Sequence, residues 1–253
     1  MDKAAITKNF SRYAHLYDKH ADVQKKTGRR LLKCIEGKKF SKILELGSGT
    51  GNYTALLRKR FEDAEIKAVD ISERMVELAR NKLADKKIRF INADAQSLNL
   101  NGRFDLITSN ACFHWLEGLE NSLLVYKKHL KRNGLIAFTI FGPETFYELN
   151  AVLGAVLKDV STASSRFVSK NKLQCFLQEE FREVDIKEVK YKESFPDLFG
   201  LLRKIKYSGV KGGDSVGRPN FNRRILEDIE KTYLAKFKGI KATYQVFFCM
   251  VRK

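Results

Sequence analysis

With 253 residues, 43% of them hydrophobic, the chain is long enough for one domain with an appended lid and can fill a sizeable core. Its opening MDKAAITKNF holds no apolar run, no window reaches 18 consecutive apolar residues, and the scattered Cys34, Cys112, Cys175 and Cys249 form no CxxC pair or ligand cluster. We therefore expect no secretory signal, no membrane-spanning helix and no metal, and a cytoplasmic protein with reduced thiols. The net charge of +18 is uneven: residues 1–40 carry +7, residues 200–253 carry +9, and the 159 residues between them only +2. Basic flanks on a nearly neutral middle fit an acidic partner; basicity without a partner is the alternative.

Residues 6–36 read as helical, with Phe10, Tyr13, Tyr17 and Val23 near helical spacing and Leu31, Leu32 and Ile35 after them. Strands and helices then alternate. Lys42–Leu46 is a strand, Asn52–Phe61 a helix, Glu65–Val69 a strand, and Glu73–Ala84 a helix with Ser72 as N-cap. Ile88–Asn92 and Phe104–Thr108 are strands, Leu119–Leu130 is a helix, and Asn133-Gly134 closes it before the strand Leu135–Phe141. This alternation predicts βαβ units and a parallel sheet. After Pro143 the rhythm breaks: helices over 144–158 and 170–179, a strand Val184–Glu193, a helix over 197–206, a loop KGGDSVGRPN (211–220), a helix over 222–237 and a final strand Thr243–Val251.

The first strand ends in LELGSGTGNY, where Glu45, Gly47, Gly49 and Gly51 form an E-x-G-x-G-x-G turn between a strand and a helix. Glycines suit a turn on which a ligand presses against the backbone. Asp70 follows at the end of the second strand, about 20 residues on, where a carboxylate meets ribose hydroxyls. A third strand end supplies Asp94 and Ala95, placed to receive an adenine amino group, and a fourth supplies Asn110 in TSNACFHW, at the same edge of the sheet. A nicotinamide dinucleotide and S-adenosylmethionine (SAM) both use such a crevice. The third glycine comes one residue too early for G-x-G-x-x-G, and a carboxylate at Glu45 suits a cationic sulfonium and opposes a pyrophosphate.

The set E-x-G-x-G-x-G, VDIS, NADA and FDLITSN resembles the class I SAM-dependent methyltransferases over about residues 40–141. The flanks FSRYAHLYDKHADVQKKTGRRLL, SRFVS (165–169), LLRKIKYSGV (201–210), GR (217–218) and TYQVFFCMVRK are similar, in the same order, to the malonyl-acyl carrier protein O-methyltransferases of biotin synthesis. One departure is His114, where Gln commonly precedes Trp. The resemblance implies an α/β Rossmann-like fold with a mostly parallel seven-stranded sheet, helices on both faces, N-terminal helices and a helical insertion forming a lid. It implies one domain over 1–253, with a flank to residue 40, a SAM-binding core over 41–141, and the lid and the rest of the sheet over 142–253. It implies SAM as donor and S-adenosylhomocysteine (SAH) as product, without a metal. The donor would be bound by Tyr17, Gln24, Glu45, Gly47, Ser48, Gly49, Gly51, Asn52, Asp70, Ile71, Met75, Asp94, Ala95 and Asn110.

The implied acceptor is the free carboxylate of a malonyl thioester on acyl carrier protein, an acidic partner for the basic flanks. A carboxylate is nucleophilic at neutral pH, so positioning in a water-poor pocket is enough. Tyr17, Arg203 and Arg166 are the candidates to hold it, with His114 and Trp115 as pocket wall. The main rival is a small-molecule methyltransferase acting on a free carboxylic acid or a quinone-precursor carbon, which would share every core motif. A nucleic-acid methyltransferase lacks support, since SNACFHW carries no Asp/Asn-Pro-Pro-aromatic platform for a flipped base. A non-catalytic SAM-binding regulator remains the third reading.

Overall fold

Lys42–Leu46 (β1) has four consecutive buried residues, the mark of a strand covered on both faces. It is an interior strand of the sheet, seen here in a computed structural model that describes residues 2–157, 160–208 and 222–253. Two helices precede it, α1 (Lys3–His20) and α2 (Asp22–Cys34). After it come α3 (Asn52–Arg60), β2 (Glu65–Asp70), α4 (Glu73–Lys82), β3 (Ile88–Asn92), β4 (Phe104–Asn110), α5 (Leu119–Lys128) and β5 (Leu130–Phe141). The remainder is α6 (Tyr147–Val156), α7 (Lys170–Glu180), β6 (Glu183–Phe195), α8 (Leu198–Tyr207), α9 (Arg223–Phe237) and β7 (Ile240–Arg252).

The strands form one seven-stranded sheet in the order β3-β2-β1-β4-β5-β7-β6. β1 to β5 run parallel, and β7 is inserted antiparallel between β5 and β6. Chain order reverses between β1 and β4, so the carboxyl ends of those strands leave a crevice there. The core lies on both faces: one cluster draws Leu31, Leu57, Val76, Val152, Leu201 and Tyr233 from α2, α3, α4, α6, α8 and α9, and the other draws on α5 and α7.

Several boundaries differ from the sequence reading. The single N-terminal helix is two, broken at Ala21, whose backbone (φ −96°, ψ 43°) leaves the helical region although neither Gly nor Pro marks the place. Asn133-Gly134 does not stand between α5 and a strand; it lies inside β5, in a bulge where Phe104 pairs with Leu130 and Leu106 with Leu135. The helix expected over 144–158 begins at Tyr147, after Phe146 in the left-handed region (φ 59°). Three short 3₁₀ turns, Ala95–Ser97, Phe113–Trp115 and Ala163–Arg166, have no counterpart in the reading. The loop expected over 211–220, with its Gly-Arg pair at 217–218, lies outside the described residues.

Candidate active site

The glycine turn between β1 and α3 has Gly47, Gly49 and Gly51 at φ 75°, 53° and 80°, a backbone that L side chains adopt at a cost. Their surroundings separate their roles. A Cβ on Gly47 would lie 2.4 Å from Cys112 Sγ, so this glycine lets the loop after β4 close against the turn. A Cβ on Gly51 would press on Ala79 and Leu83 at 3.2 Å; Gly51 faces α4 and serves packing, away from the cavities. A Cβ on Gly49 would meet only the Tyr17 ring, at 4.0 Å, and would otherwise fill open cavity.

Two cavities meet at this turn, sharing Tyr17, Gly47, Gly49 and Asn110. Asp70, Ile71, Met75, Asp94, Ala95 and Trp115 line the first. Gln24, Ser48 and Asn52 line the second. Asp70 is oriented by main-chain donors, with Gly49 N–H at 2.8 Å from Oδ2 and Ser72 N–H at 2.9 Å from Oδ1. Burial raises its pKa and those two hydrogen bonds oppose the rise. Each oxygen keeps a lone pair for a hydroxyl.

Glu45 borders neither cavity. It sits beneath the turn at 1% exposure, and neither carboxylate oxygen has a hydrogen-bond partner. Burial pushes its pKa up to about 8; the Asp70 charge adds to the rise and the Thr54 hydroxyl opposes it. A buried, unsatisfied carboxyl beside an open turn is what a cationic ligand would compensate. With Asp70 at the first cavity and no Cβ at Gly49, the residues present fit SAM.

The N-terminal helices close the crevice from above. Asp18 on α1 accepts from Thr50 Oγ1 (2.5 Å), Asn52 Nδ2 (2.8 Å) and Lys82 Nζ (2.6 Å). Burial raises the Asp18 pKa, but these bonds win and hold it low. Lys3 pairs with Asp94 at 2.8 Å, and the Ser11 and Ser72 hydroxyls meet at 2.8 Å. Asn110 ties α2 to the sheet: its amide donates to the Gln24 carbonyl (2.9 Å), and its Oδ1 accepts from Thr27 (2.8 Å) and Thr139 (2.9 Å). Phe10 packs edge-on against Tyr17 and Trp115, each at 6.2 Å, making an aromatic wall. His114 lies outside both cavities, 5% exposed among Trp115, Phe141 and Phe167, with Nδ1 unpartnered. Burial lowers its pKa to about 3, so the ring is neutral.

The two candidate arginines are not in this group. Arg166 and Arg203 are exposed and line neither cavity. On α8 it is Lys204 that turns inward, pairing with Asp22 at 2.5 Å and Glu193 at 3.4 Å. Sequence reasoning missed Lys3, Phe10, Asp18 and Cys112. The seven-residue spacing of Lys3, Phe10 and Tyr17 was a usable signal for the first two.

A methyltransferase-domain family matches residues 43–134. The malonyl-[acyl-carrier protein] O-methyltransferase of Bacillus cereus is 33% identical over 100% of this chain and 98% of its own length. The chain belongs to the malonyl-[acyl-carrier protein] O-methyltransferase family. It is a SAM-dependent methyltransferase. The fold is similar to that of Bacillus subtilis YcgJ, at TM-score 0.64 and 15% identity over 90% of this chain and 98% of that one. It is also similar to the plantazolicin methyltransferase BpumL in complex with SAH, at TM-score 0.50 and 16% identity over 100% of this chain and 91% of that one. No group of His, Cys, Asp and Glu able to hold a metal occurs among the described residues, and none of their helices is long and apolar enough to cross a membrane.

Proposed function

We propose that this enzyme methylates the free carboxylate of a malonyl thioester on acyl carrier protein, giving the methyl ester used as a primer in biotin synthesis in the cytoplasm. The observation that carries this is the extent of the match to the named relatives, which runs through both basic flanks and not only through the donor-binding core. Bound SAM supplies an electrophilic methyl on a positively charged sulfur. The chain's own task is then to hold two partners in line and keep water out. Asp70 faces the ribose end, with both oxygens aimed by main-chain amides. Tyr17, Phe10 and Trp115 put aromatic faces around the place of transfer, where they shed water and favour a cation. Burial and the neighbouring Asp70 raise the Tyr17 pKa, so its phenol stays protonated and can donate to an acceptor oxygen. No general base is needed, and the neutral His114 serves as wall behind Trp115.

The carrier is acidic, and α1 of one basic flank meets α8 of the other. Tyr13 of α1 and Tyr207 of α8 stack edge-on at 5.2 Å, and Lys206 lies 5.4 Å over both rings. Arg12 covers the Tyr13 ring at 5.4 Å. His20 packs on Tyr207 at 5.1 Å; burial lowers its pKa, and Lys204, Lys19 and Arg203 push the same way. Arg12, Lys19, Arg203 and Lys206 are exposed on this face, so Arg203 fits carrier docking better than grip on the malonyl carboxylate. The test is methylation of malonyl-carrier, malonyl-coenzyme A and free malonate across a salt series. The expected result is turnover on the malonyl thioesters, with a steep loss of kcat/KM in salt for the carrier substrate alone. Parallel salt curves would remove the docking face, and turnover only on free acids would replace the reading with a small-molecule methyltransferase.

A further inference from the structure

α1 roofs the first cavity with Ile6, Phe10 and Tyr17, yet of its 18 residues only Ile6 and Ala14 are fully buried. Much of what fastens it is polar, and each fastening goes to a loop at the carboxyl edge of the sheet. Lys3 reaches Asp94 after β3 at 2.8 Å, Ser11 reaches Ser72 after β2 at 2.8 Å, and Asp18 reaches Thr50 and Asn52 after β1. The last fastening is the densest. One Asp18 oxygen accepts from Thr50 at 2.5 Å and Asn52 at 2.8 Å, and the other accepts from Lys82 of α4 at 2.6 Å. Lys82 also donates to Asn52 Oδ1 at 3.0 Å, and the Asp18 main-chain carbonyl accepts from Lys25 of α2.

A carboxylate is a poor choice for this place if α1 is considered alone. The helix ends at His20, so Asp18 stands in its last turn, where the negative end of the dipole opposes it by about 0.3–1 kcal/mol. That turn is also where a helix frays, and Tyr17 lies in it. The Tyr17 phenol has no hydrogen-bond partner among the described residues. Its ring meets Phe10 of the same helix edge-on and otherwise looks onto the open side of Gly49. The place of the phenol in the first cavity is therefore set by the main chain that carries it. Successive helix residues point about 100° apart, so Tyr17 faces the cavity while Asp18 turns to the glycine turn and lines neither cavity. We infer that Asp18 is a positioning residue: by fastening the last turn of α1 to the glycine turn and α4, it fixes the Tyr17 phenol over the place of methyl transfer. The inference rests on the reading of that phenol as a donor to the acceptor oxygen. It also gives Asn52, whose side-chain amide is engaged at both ends, a part in holding α1.

The experiment measures the single-turnover rate on malonyl-carrier, SAH affinity by calorimetry and Tm, all on the full chain. Asp18→Ala removes the fastening and puts the best helix former in its place. It should slow the turnover about tenfold, while SAH affinity falls by no more than about threefold. Lys82→Met, 64 residues away in sequence, exposed and outside both cavities, should slow it in the same direction by less. Tyr17→Phe should slow it too, and Asp18→Ala added to Tyr17→Phe should cost less than about twofold more, because the two changes then act on one group. An unchanged rate in Asp18→Ala or in Tyr17→Phe overturns the inference. So does a full further loss in the double variant, or an SAH affinity that falls as far as the rate. If Asp18→Ala does not fold, seen in Tm, Lys82→Met alone and combined with Tyr17→Phe decides by the same comparison. A native chain that binds SAH but does not turn over malonyl-carrier overturns the acceptor reading beneath the inference, and the inference with it.

Discussion

Glu45 offers a stability measurement that needs neither substrate nor turnover. Its carboxyl is buried under the glycine turn without a hydrogen-bond partner, and its pKa rises from 4.5 to about 8. A carboxyl whose pKa rises on folding binds its proton more tightly in the folded chain. Stability is therefore fullest below 4.5 and declines as pH climbs through 8. Across that window each pH unit removes up to about 1.4 kcal/mol, roughly 5 kcal/mol in all. For a protein of this size each kcal/mol moves Tm by about 2–4 °C, so the decline is on the order of 10 °C. Glu45→Gln keeps the shape and removes the titration. Its Tm, measured without ligand from pH 5 to 8.5, should fall less than that of the native chain, and the two curves should diverge most at the alkaline end. If the ammonium of bound SAH compensates this carboxyl, saturating SAH should protect the native chain more at pH 8 than at pH 5, and Glu45→Gln nearly equally at both. Parallel Tm curves for the two proteins would refute the argument.

Two further comparisons separate residues of one type by their surroundings. Gly49→Val should abolish SAM binding measured by calorimetry, because its side chain enters open cavity, whereas Gly47→Ala should lower Tm first, because its Cβ would meet Cys112 at 2.4 Å. Arg203→Ala should leave Tm and SAM affinity unchanged and raise KM for the malonyl-carrier alone. Lys204→Met should instead destabilise by about 3 kcal/mol, seen in urea denaturation, by leaving Asp22 and Glu193 unpaired.

The parallel half of the fold was legible because two periodicities alternate there with clear punctuation. Ile88–Asn92 and Lys42–Leu46 are short apolar runs between turn residues, and Ser72 caps α4 by accepting from Met75 N. Legibility failed where the decisive interaction is distant in sequence. Ala21 breaks a helix in a stretch with no breaker; the residue is fully buried, and Asp22 just beyond it pairs with Lys204, 182 residues away. Asn133-Gly134 carries the usual signature of a turn between elements, yet the pairing of Phe104 with Leu130 absorbs it as a bulge inside β5. At the site, the glycine pattern was visible, but a pattern does not distinguish Gly49, open to the cavity, from Gly51, pressed on α4.

Charge shows the same limit most sharply. Counted along the chain, the flanks hold 24 Lys and Arg, and all look alike. Folding sorts them by what they face. Lys3 reaches Asp94 at the first cavity, Lys25 and Arg29 line the second, and Lys204 is buried between two carboxylates. Arg12, Lys19, Arg203 and Lys206 turn outward around the contact of α1 with α8. This second group is placed to steer an acidic carrier over a distance, whereas a charge paired within the fold, as Lys3 and Lys204 are, adds little to the long-range field. Arg203 and Lys204, adjacent in sequence, fall on opposite sides of that division, because successive residues of a helix point about 100° apart and only one of them faces the core. The motif LLRK therefore carries two physical roles: one cation that holds α8 to α2, and one that remains available to a partner.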